Sequence, residues 1–536
     1  MYITRVYIEG FKRFTTFDLE LNPFFNVIVG DNETGKTSVL EAIDLVLTGQ
    51  YDGRLIQHAI DPYLFNAATV VDYFQRRQKG EHGHPPRVLI EAYLQKDDNS
   101  PAFTRLRGSN NSKSEDCPGL ALTIEVESDH VETLKDYAAD KSNPTVLPVE
   151  FYRATWRSFD NNGVNLKNLP FRAVTIDTSL ARVYRGPNKY VSQRVNDVLT
   201  EQQQRELSLA YKKLRHEFTQ EPGVTAINKD LELRGNPATT KKLTVQMDMS
   251  SRSSWDSAIT PHLDDLPFDC AGKGEQCRVQ MRLAIAGAEQ SKVLLIEEPE
   301  NHLSHSNLNM FMDDIGKDCA DRQVIITTHS AFVLNKLGID NLRLISLAGK
   351  TAKLTQLTPD TKNYFMKLPG YDTLRLILSK RSILVEGPSD ELIVQRAYKD
   401  KHGRLPLADG VDVIAVGSLA FKRFLEIAVL LHLNVSVVTD NDGDVEGLRE
   451  KYADYLDGAH LNIRVYYDTD LNCRTLEPQL LKANSRDALN AIFGKTYGDE
   501  SALLKYMDGN KTDCALKIFE TTKSWVPPGY IANAIE

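Results

Sequence analysis

Cysteine is scarce in this 536-residue chain. The six present, Cys117, Cys270, Cys277, Cys319, Cys473 and Cys514, form no CxxC pair and no zinc-ligand spacing. That excludes a disulfide scaffold and a zinc module, and makes reduced thiols the expected state. No run of eighteen apolar residues occurs, so no membrane span is expected. Arg5, Glu9, Lys12 and Arg13 interrupt any apolar leader, and a cytoplasmic protein is the expectation. Positive charge is also short: 64 Lys and Arg against 73 Asp and Glu leave a formal net charge of -9. This excludes a histone-like blanket affinity for nucleic acid. It leaves room for a local basic track, because phosphate contacts act through a surface patch. Sustained heptads, internal repeats and a low-complexity tail are absent too, which excludes a long coiled-coil rod.

What is there is a globular composition, 41% hydrophobic and 26% charged, in a chain too long for one ordinary core. Residues 1–155 begin with alternating strand patterns and then a loop that presents a helix at Thr37. Residues 156–242 change character, with Glu201-Gln202-Gln203-Gln204 and Lys212-Lys213-Leu214-Arg215 pointing to long polar helices. They read as a helical insertion and a dimer contact. Strand and helix alternate again over 243–380, ending in a short helix pattern from Asp372 to Lys380. A last domain occupies 381–536.

The first motif with chemistry is Gly30-Asp31-Asn32-Glu33-Thr34-Gly35-Lys36-Thr37-Ser38, which follows the strand run Asn26-Val27-Ile28-Val29. Gly30 and Gly35 let the backbone wrap phosphates, with N–H groups pointing inward around Asn32 and Ser38. Lys36 would reach the β- and γ-phosphates of ATP, and Thr37 would bind Mg²⁺. Far downstream, Val293-Leu294-Leu295-Ile296 ends in Glu297-Glu298-Pro299-Glu300. There Glu297 suits Mg²⁺ contact and Glu298 suits polarising the attacking water. Another strand run, Val324 to Thr328, ends on His329. Before both lies Ala271-Gly272-Lys273-Gly274-Glu275-Gln276, a glycine turn leading to a helix from Cys277 and hence a second anion site.

Two further apolar runs finish on acid. Ile383-Leu384-Val385 leads to Glu386, Asp390 and Glu391, and Val435 to Thr439 leads to Asp440, Asp442 and Asp444. Carboxylates at the ends of buried parallel strands sit where open α/β sheets keep their ligands. Crowded together, they repel one another unless a divalent cation intervenes. An EF-hand loop starting at Asp440 fails, because Val445 and Lys451 stand where Gly and Glu are required. A strand at Val411–Val416 and an amphipathic helix at Phe421–Leu431 separate the two acidic ends.

That arrangement resembles a Toprim domain, and the upstream motifs resemble an ABC-type ATPase of the structural-maintenance and recombination-repair kind. Together they resemble the OLD (overcoming lysogenization defect) family of nucleases, of which Glu-Glu-Pro-Glu and Thr-His-Ser are typical. Departures are Glu297 where Asp is commoner, and Gly-Lys-Gly-Glu-Gln where the signature usually reads Ser-Gly-Gly-Gln. The resemblance implies an α/β chain: an ABC-type ATPase domain with a helical insertion, followed by a Rossmann-like parallel-sheet Toprim domain. It implies ATP held between two copies, with His329 on the γ-phosphate and Gly272 and Gly274 reaching the partner's nucleotide. At the Toprim site it implies Mg²⁺ or Mn²⁺ bound by Glu386, Asp390, Glu391, Asp440, Asp442 and Glu477. One ion would activate water and the other would stabilise the leaving 3′ oxygen. Lys511 would neutralise the scissile phosphate, and Gly417 and Lys422 would be lesser phosphate contacts. The implied activity is DNA nicking or cleavage in anti-phage defence, as a homodimer or larger. Such proteins work alone, beside a separately encoded helicase, or with a reverse transcriptase and its retron DNA. A topoisomerase or primase lacks support, since the tail after Glu477 is short and the cysteines do not fit zinc. An ATPase switch with a non-cleaving Toprim domain is the alternative.

Overall fold

Val6 and Ile8 are fully buried between partly exposed Arg5, Tyr7 and Glu9, and this alternation gives the middle of β1 (Ile3–Phe11) one core-facing side. A computed structural model describes residues 2–536 apart from 31–32, 53, 96–100, 170–171, 178–198, 234–243, 248–254, 256–259, 288–290, 302, 320, 331–332, 334–336, 346–350, 353–356, 368–374, 378, 418–419 and 457–459. The chain forms two compact units, one of residues 1–26 and 35–328, the other of 27–34 and 329–536.

In the first unit β1 pairs with β2 (Phe14–Glu20). The chain then passes through β3 (Phe25–Val29) and the glycine loop into α1 (Lys36–Thr48). Next come β4 (Val88–Leu94), β5 (Cys117–Val126) and β6 (Tyr152–Ser158), which complete an antiparallel sheet ordered β2-β1-β4-β5-β6. β7 (Arg172–Asp177) belongs to a second, parallel layer. Two polar helices follow, α2 (Glu201–Gln220) and α3 (Pro222–Leu233); a Thr200–Gln203 capping box starts α2. After α4 (Lys273–Gly287), β8 (Ser291–Glu297) and β9 (Gln323–Thr327) extend the parallel layer in the order β7-β8-β9. Val293 to Ile296 are all at most 1% exposed, as a strand covered on both faces requires. The helix α4 starts at Lys273 rather than Cys277. Gln276 explains the shift: its amide donates to the carbonyls of Asp269 (3.1 Å) and Ala271 (2.8 Å), so the turn closes earlier.

In the second unit Val27–Val29 of β3 pair in parallel with β10 (Leu342–Ile345). The start of the short helix expected at Asp372 lies outside the described residues, while Arg375–Ile377 are helical. Then β11 (Arg381–Val385), α5 (Pro388–His402), β12 (Val411–Ala415), α6 (Phe421–Leu431) and β13 (Asn434–Val438) alternate. After α7 (Val445–Lys451), β14 (Ile463–Tyr466) closes a four-stranded, wholly parallel sheet ordered β12-β11-β13-β14. The chain leaves central β11 for one edge, then crosses to β13 on the other side. The crevice at the ends of β11 and β13 is therefore a topological switch point. Helices α8 (Leu476–Ala483), α9 (Lys511–Glu520) and α10 (Gly529–Ala534) pack a second core of Leu480, Ile518, Ile531 and their neighbours under that end.

Candidate nucleotide and metal sites

Two glycines of the nucleotide motif stand where a side chain would clash. Gly35 adopts φ 94°, and a β-carbon there would meet Phe14 at 2.5 Å, so only glycine fits. A β-carbon at Gly30 would meet the Ile345 carbonyl oxygen at 2.6 Å. Lys36 is buried, and Ser38 lies in the first turn of α1. The Thr37 hydroxyl donates to Glu297, the last residue of β8, so the two side chains expected to share a cation with ATP already touch. Asn32 lies outside the described residues.

Glu298, directly after β8, has φ 42°. A non-glycine residue in this left-handed region carries a cost of order 1 kcal/mol or more and persists only where the surroundings hold it. Here its N–H donates to the Thr327 carbonyl (2.9 Å), and Asn301 donates to its carboxylate (2.9 Å). The Thr328 hydroxyl, just before His329, donates to Glu300 at 2.7 Å. In the glycine turn, Gly272 is exposed and its carbonyl accepts from the Gln276 N–H, while Gly274 lies inside the first turn of α4.

At the second site, Glu386 sits one residue past β11 and Asp440 two past β13. The β11–β13 register pairs Leu384 with Val437, which sets Glu386 level with Thr439. The Thr439 hydroxyl and the Asp440 N–H both donate to Glu386, at 2.6 and 3.0 Å. Asp390 folds back from the first turn of α5 and accepts from the Gly387 N–H at 3.2 Å. Burial, then Glu386, pushes its carboxyl up to about 7. Burial pushes Asp440 to about 8, and Asp390, Glu386, Glu477 and Asp442 add repulsion in that order. Asp440 Oδ1 is buried with no hydrogen-bond partner among the described residues. The carboxylates converge without closing, since among the described residues no three such donors are drawn up to a common ion. A buried, unsatisfied carboxylate oxygen among repelling acids fits a divalent cation, which would supply both missing ligands and missing charge.

Glu477 is 5% exposed in the first turn of α8, where Thr475 donates to it at 2.8 Å and Lys511 at 3.4 Å. Asp508 also pairs with Lys511 at 3.2 Å. Burial lowers the Lys511 ammonium, but Glu477 and Asp508 outweigh it and hold it above the ordinary lysine value. Glu391 lies near Arg375 (3.7 Å) and Gln395 (3.2 Å). Asp444, an acid without an assigned role in the sequence, caps α7 by accepting from the Gly447 N–H at 2.8 Å. Gly417 takes φ 78° after β12, and Lys422 is exposed at the start of α6.

Sequence reasoning missed Thr439, Asn441, Gln479 and Tyr530. Buried Asn441 donates to the carbonyls of Asp468 (2.7 Å), Asp470 (3.0 Å) and Cys473 (3.3 Å), and accepts from Gly443 (2.8 Å). It clamps the Asp440 loop to the segment before α8. Tyr530, on α10, donates to Gln479 beneath the acids; burial and then Asp440 raise its phenol well above the usual value. An Asn inside Asp-x-Asp was the one signal available; the other contacts come from distant segments.

Two family models match the chain: RecF/RecN/SMC N terminal domain over residues 2–352, and Overcoming lysogenization defect protein-like, TOPRIM domain over residues 377–442. Among curated relatives, the DNA replication and repair protein RecF of Cronobacter sakazakii is 33% identical over 118 residues, 21% of this chain and 29% of that protein. RecF of Aliivibrio fischeri is 42% identical over 81 residues, 14% and 23% respectively. The chain thus spans less than a third of these relatives' length. The SMC head domain from Thermotoga maritima aligns with 64% of this chain and 94% of its own, at 14% identity and TM-score 0.29. The C-terminal region of the Xanthomonas campestris pv. campestris OLD protein aligns with 29% and 92%, at 20% identity and TM-score 0.24. No helix among the described residues is long and apolar enough to cross a membrane. The chain belongs to the RecF/RecN/SMC N-terminal domain family, an SMC/ABC-ATPase head-like fold joined to an OLD-like parallel-sheet Toprim domain, which is the OLD family architecture.

Proposed function

We propose that the protein is an ATP-regulated, divalent-metal-dependent DNA endonuclease, nicking or cleaving, that serves in anti-phage defence. The observation that carries this reading is the buried, unpartnered Asp440 oxygen amid Glu386, Asp390, Asp442 and Glu477 at a sheet switch point. Glu386, Asp390, Asp440, Asp442 and Glu477 would hold Mg²⁺ or Mn²⁺, which activates water and stabilises the departing 3′ oxygen when bound. Glu391, which lies near Arg375, would be a further metal ligand. Lys511, tethered through Glu477, offsets charge developing on the phosphate.

In the head, Gly30, Asn32, Gly35, Lys36 and Ser38 would wrap the ATP phosphates, and Thr37 with Glu297 would hold its Mg²⁺. Glu298 would orient the attacking water, His329 would contact the γ-phosphate, and Gly272 and Gly274 would reach the nucleotide of a second copy. A homodimer is supported by α2, where Leu207, Leu214 and Phe218 leave an apolar stripe 36%, 62% and 52% exposed on one face. The segment 156–242 is accordingly read as a dimerising insertion between ATPase parts 1–155 and 243–380, with the Toprim nuclease at 381–536. The protein would act in the cytoplasm, alone, beside a separately encoded helicase, or with a reverse transcriptase and its retron DNA.

The test incubates purified protein with plasmid DNA and Mg²⁺ or Mn²⁺, with and without ATP, beside E386A, D440A and K36A. Wild type should nick or linearise the plasmid, E386A and D440A should not, and K36A should lose only the response to ATP. Absence of any cutting by wild type, with its genomic neighbours' products added, sinks the nuclease reading. Unaltered antiviral activity of D440A would favour a switch whose Toprim domain binds without cleaving.

A further inference from the structure

Arg474 stands over the Asp440–Asp444 turn with its charge unused. Its backbone is fixed from several sides. The Asp442 N–H donates to its carbonyl (3.2 Å), and the preceding Cys473 carbonyl accepts from Asn441 (3.3 Å) and Gln479 (3.1 Å). Its side chain folds across Gly443, where an added β-carbon would lie 2.9 Å from Nε and 3.1 Å from Cδ. Gly443 has φ 84°, so the turn is kept low beneath the arginine. Arg474 is exposed, and among the described residues its guanidinium has no hydrogen-bond or ion-pair partner.

Two lysines near these acids are committed to carboxylates. Lys482 bridges Asp468 and Asp470 at 3.1 Å each, and Lys511 bridges Glu477 and Asp508. An unpaired, exposed arginine beside a carboxylate cluster is available to a ligand whose geometry suits its planar fork. A phosphodiester has that geometry, and an acidic crevice needs a cation at its rim to admit a polyanion.

We propose that Arg474 binds a DNA backbone phosphate next to the one presented to the acids, setting where the strand lies. This deepens the nuclease reading, but its test does not need cleavage. Binding of the full-length protein to a short DNA duplex is measured across a monovalent-salt series at fixed Ca²⁺. R474A should bind about 5- to 10-fold more weakly near 0.1 M salt, and its slope of log K against log salt should fall by about one. R474K, which keeps the charge, should keep the slope. Because the side chain is exposed, R474A should melt with wild type. In cleavage assays R474A should raise KM for DNA far more than it lowers kcat. Wild-type affinity and slope in R474A overturn the proposal, as does an equal loss in R474A and R474K with the slope unchanged. A wild type that binds but never cuts removes the nuclease reading and leaves the slope to decide Arg474. A wild type that binds no DNA overturns both.

Discussion

Replacing Asp440 with Asn should stabilise the metal-free protein. In the folded chain this carboxyl titrates near about 8 instead of 3.8, chiefly because it is buried and then because Asp390 and Glu386 face it. The folded state therefore keeps a proton that the unfolded chain has released. Stability is highest at low pH and falls as pH rises from the unfolded value toward the folded one. About 4 units at roughly 1.4 kcal/mol each cap the loss at about 6 kcal/mol. Asp390 shares the same field, so the pair titrates together and its repulsion is counted once. Water and side-chain relaxation weaken it further, as an effective dielectric near about 20 implies, leaving about 2 kcal/mol. In a unit of roughly 200 residues that raises the melting temperature by about 4–8 °C. The assay is thermal unfolding of wild type and D440N in EDTA at pH 8 and pH 5. The gap at pH 5 should be about a third of that at pH 8. Adding Mn²⁺ should raise the wild-type melting temperature more than that of D440N. A D440N protein that melts at or below wild type at pH 8 in EDTA refutes the account of the carboxylate cluster.

Glu298 at φ 42° predicts that E298G is more stable than E298A by about 1 kcal/mol, while both lose ATP hydrolysis; unfolding and phosphate release measure the two effects. Equal stability would mean the backbone there is unstrained. N441A removes four hydrogen bonds that tie the Asp440 loop to the segment before α8, so it should cost about 3 kcal/mol and reduce cleavage, read by denaturant unfolding and plasmid nicking. D444A should cost about 1 kcal/mol through loss of the α7 cap, with D444N restoring it and cleavage retained in both. Abolished cleavage in folded D444N would make Asp444 a ligand instead.

The parallel strands were legible because burial on both faces leaves unbroken β-branched runs, and parallel order throws the following acids to one edge. Glu386 and Asp440 could be read as neighbours in kind, but not as bonded to each other through Thr439. That bond depends on the β11–β13 register. Among the three acids after β11 and the three after β13, type and spacing could not separate roles. Glu391 lies one residue past Asp390 on α5, a rotation of roughly 100° that brings it near Arg375. Asp444 is diverted by a helix start that its own capping helps define. Tyr530 and Gln479 were illegible because α8 and α10 reach the underside of the acids only through tertiary packing.

Positive φ at a non-glycine residue does not by itself mark function here. Asn161 adopts it in the turn after β6 and His432 at the C-terminus of α6, where nothing chemical gathers. Glu298 and Asp442 differ because the same backbone cost falls at the end of a buried strand run, beside a motif acid. At Glu298 the conformation is held by Thr327 and Asn301; at Asp442 it is held by Arg474 and the Asn441 clamp. The backbone is unusual at both places, and crowded charge joins it at the acids around Asp440. A fold tolerates such a combination where ligand binding, and not folding, relieves it. On the proposed function, the two acidic strand ends, in the head and in the Toprim sheet, would be sites of one physical kind, each less favourable empty than filled.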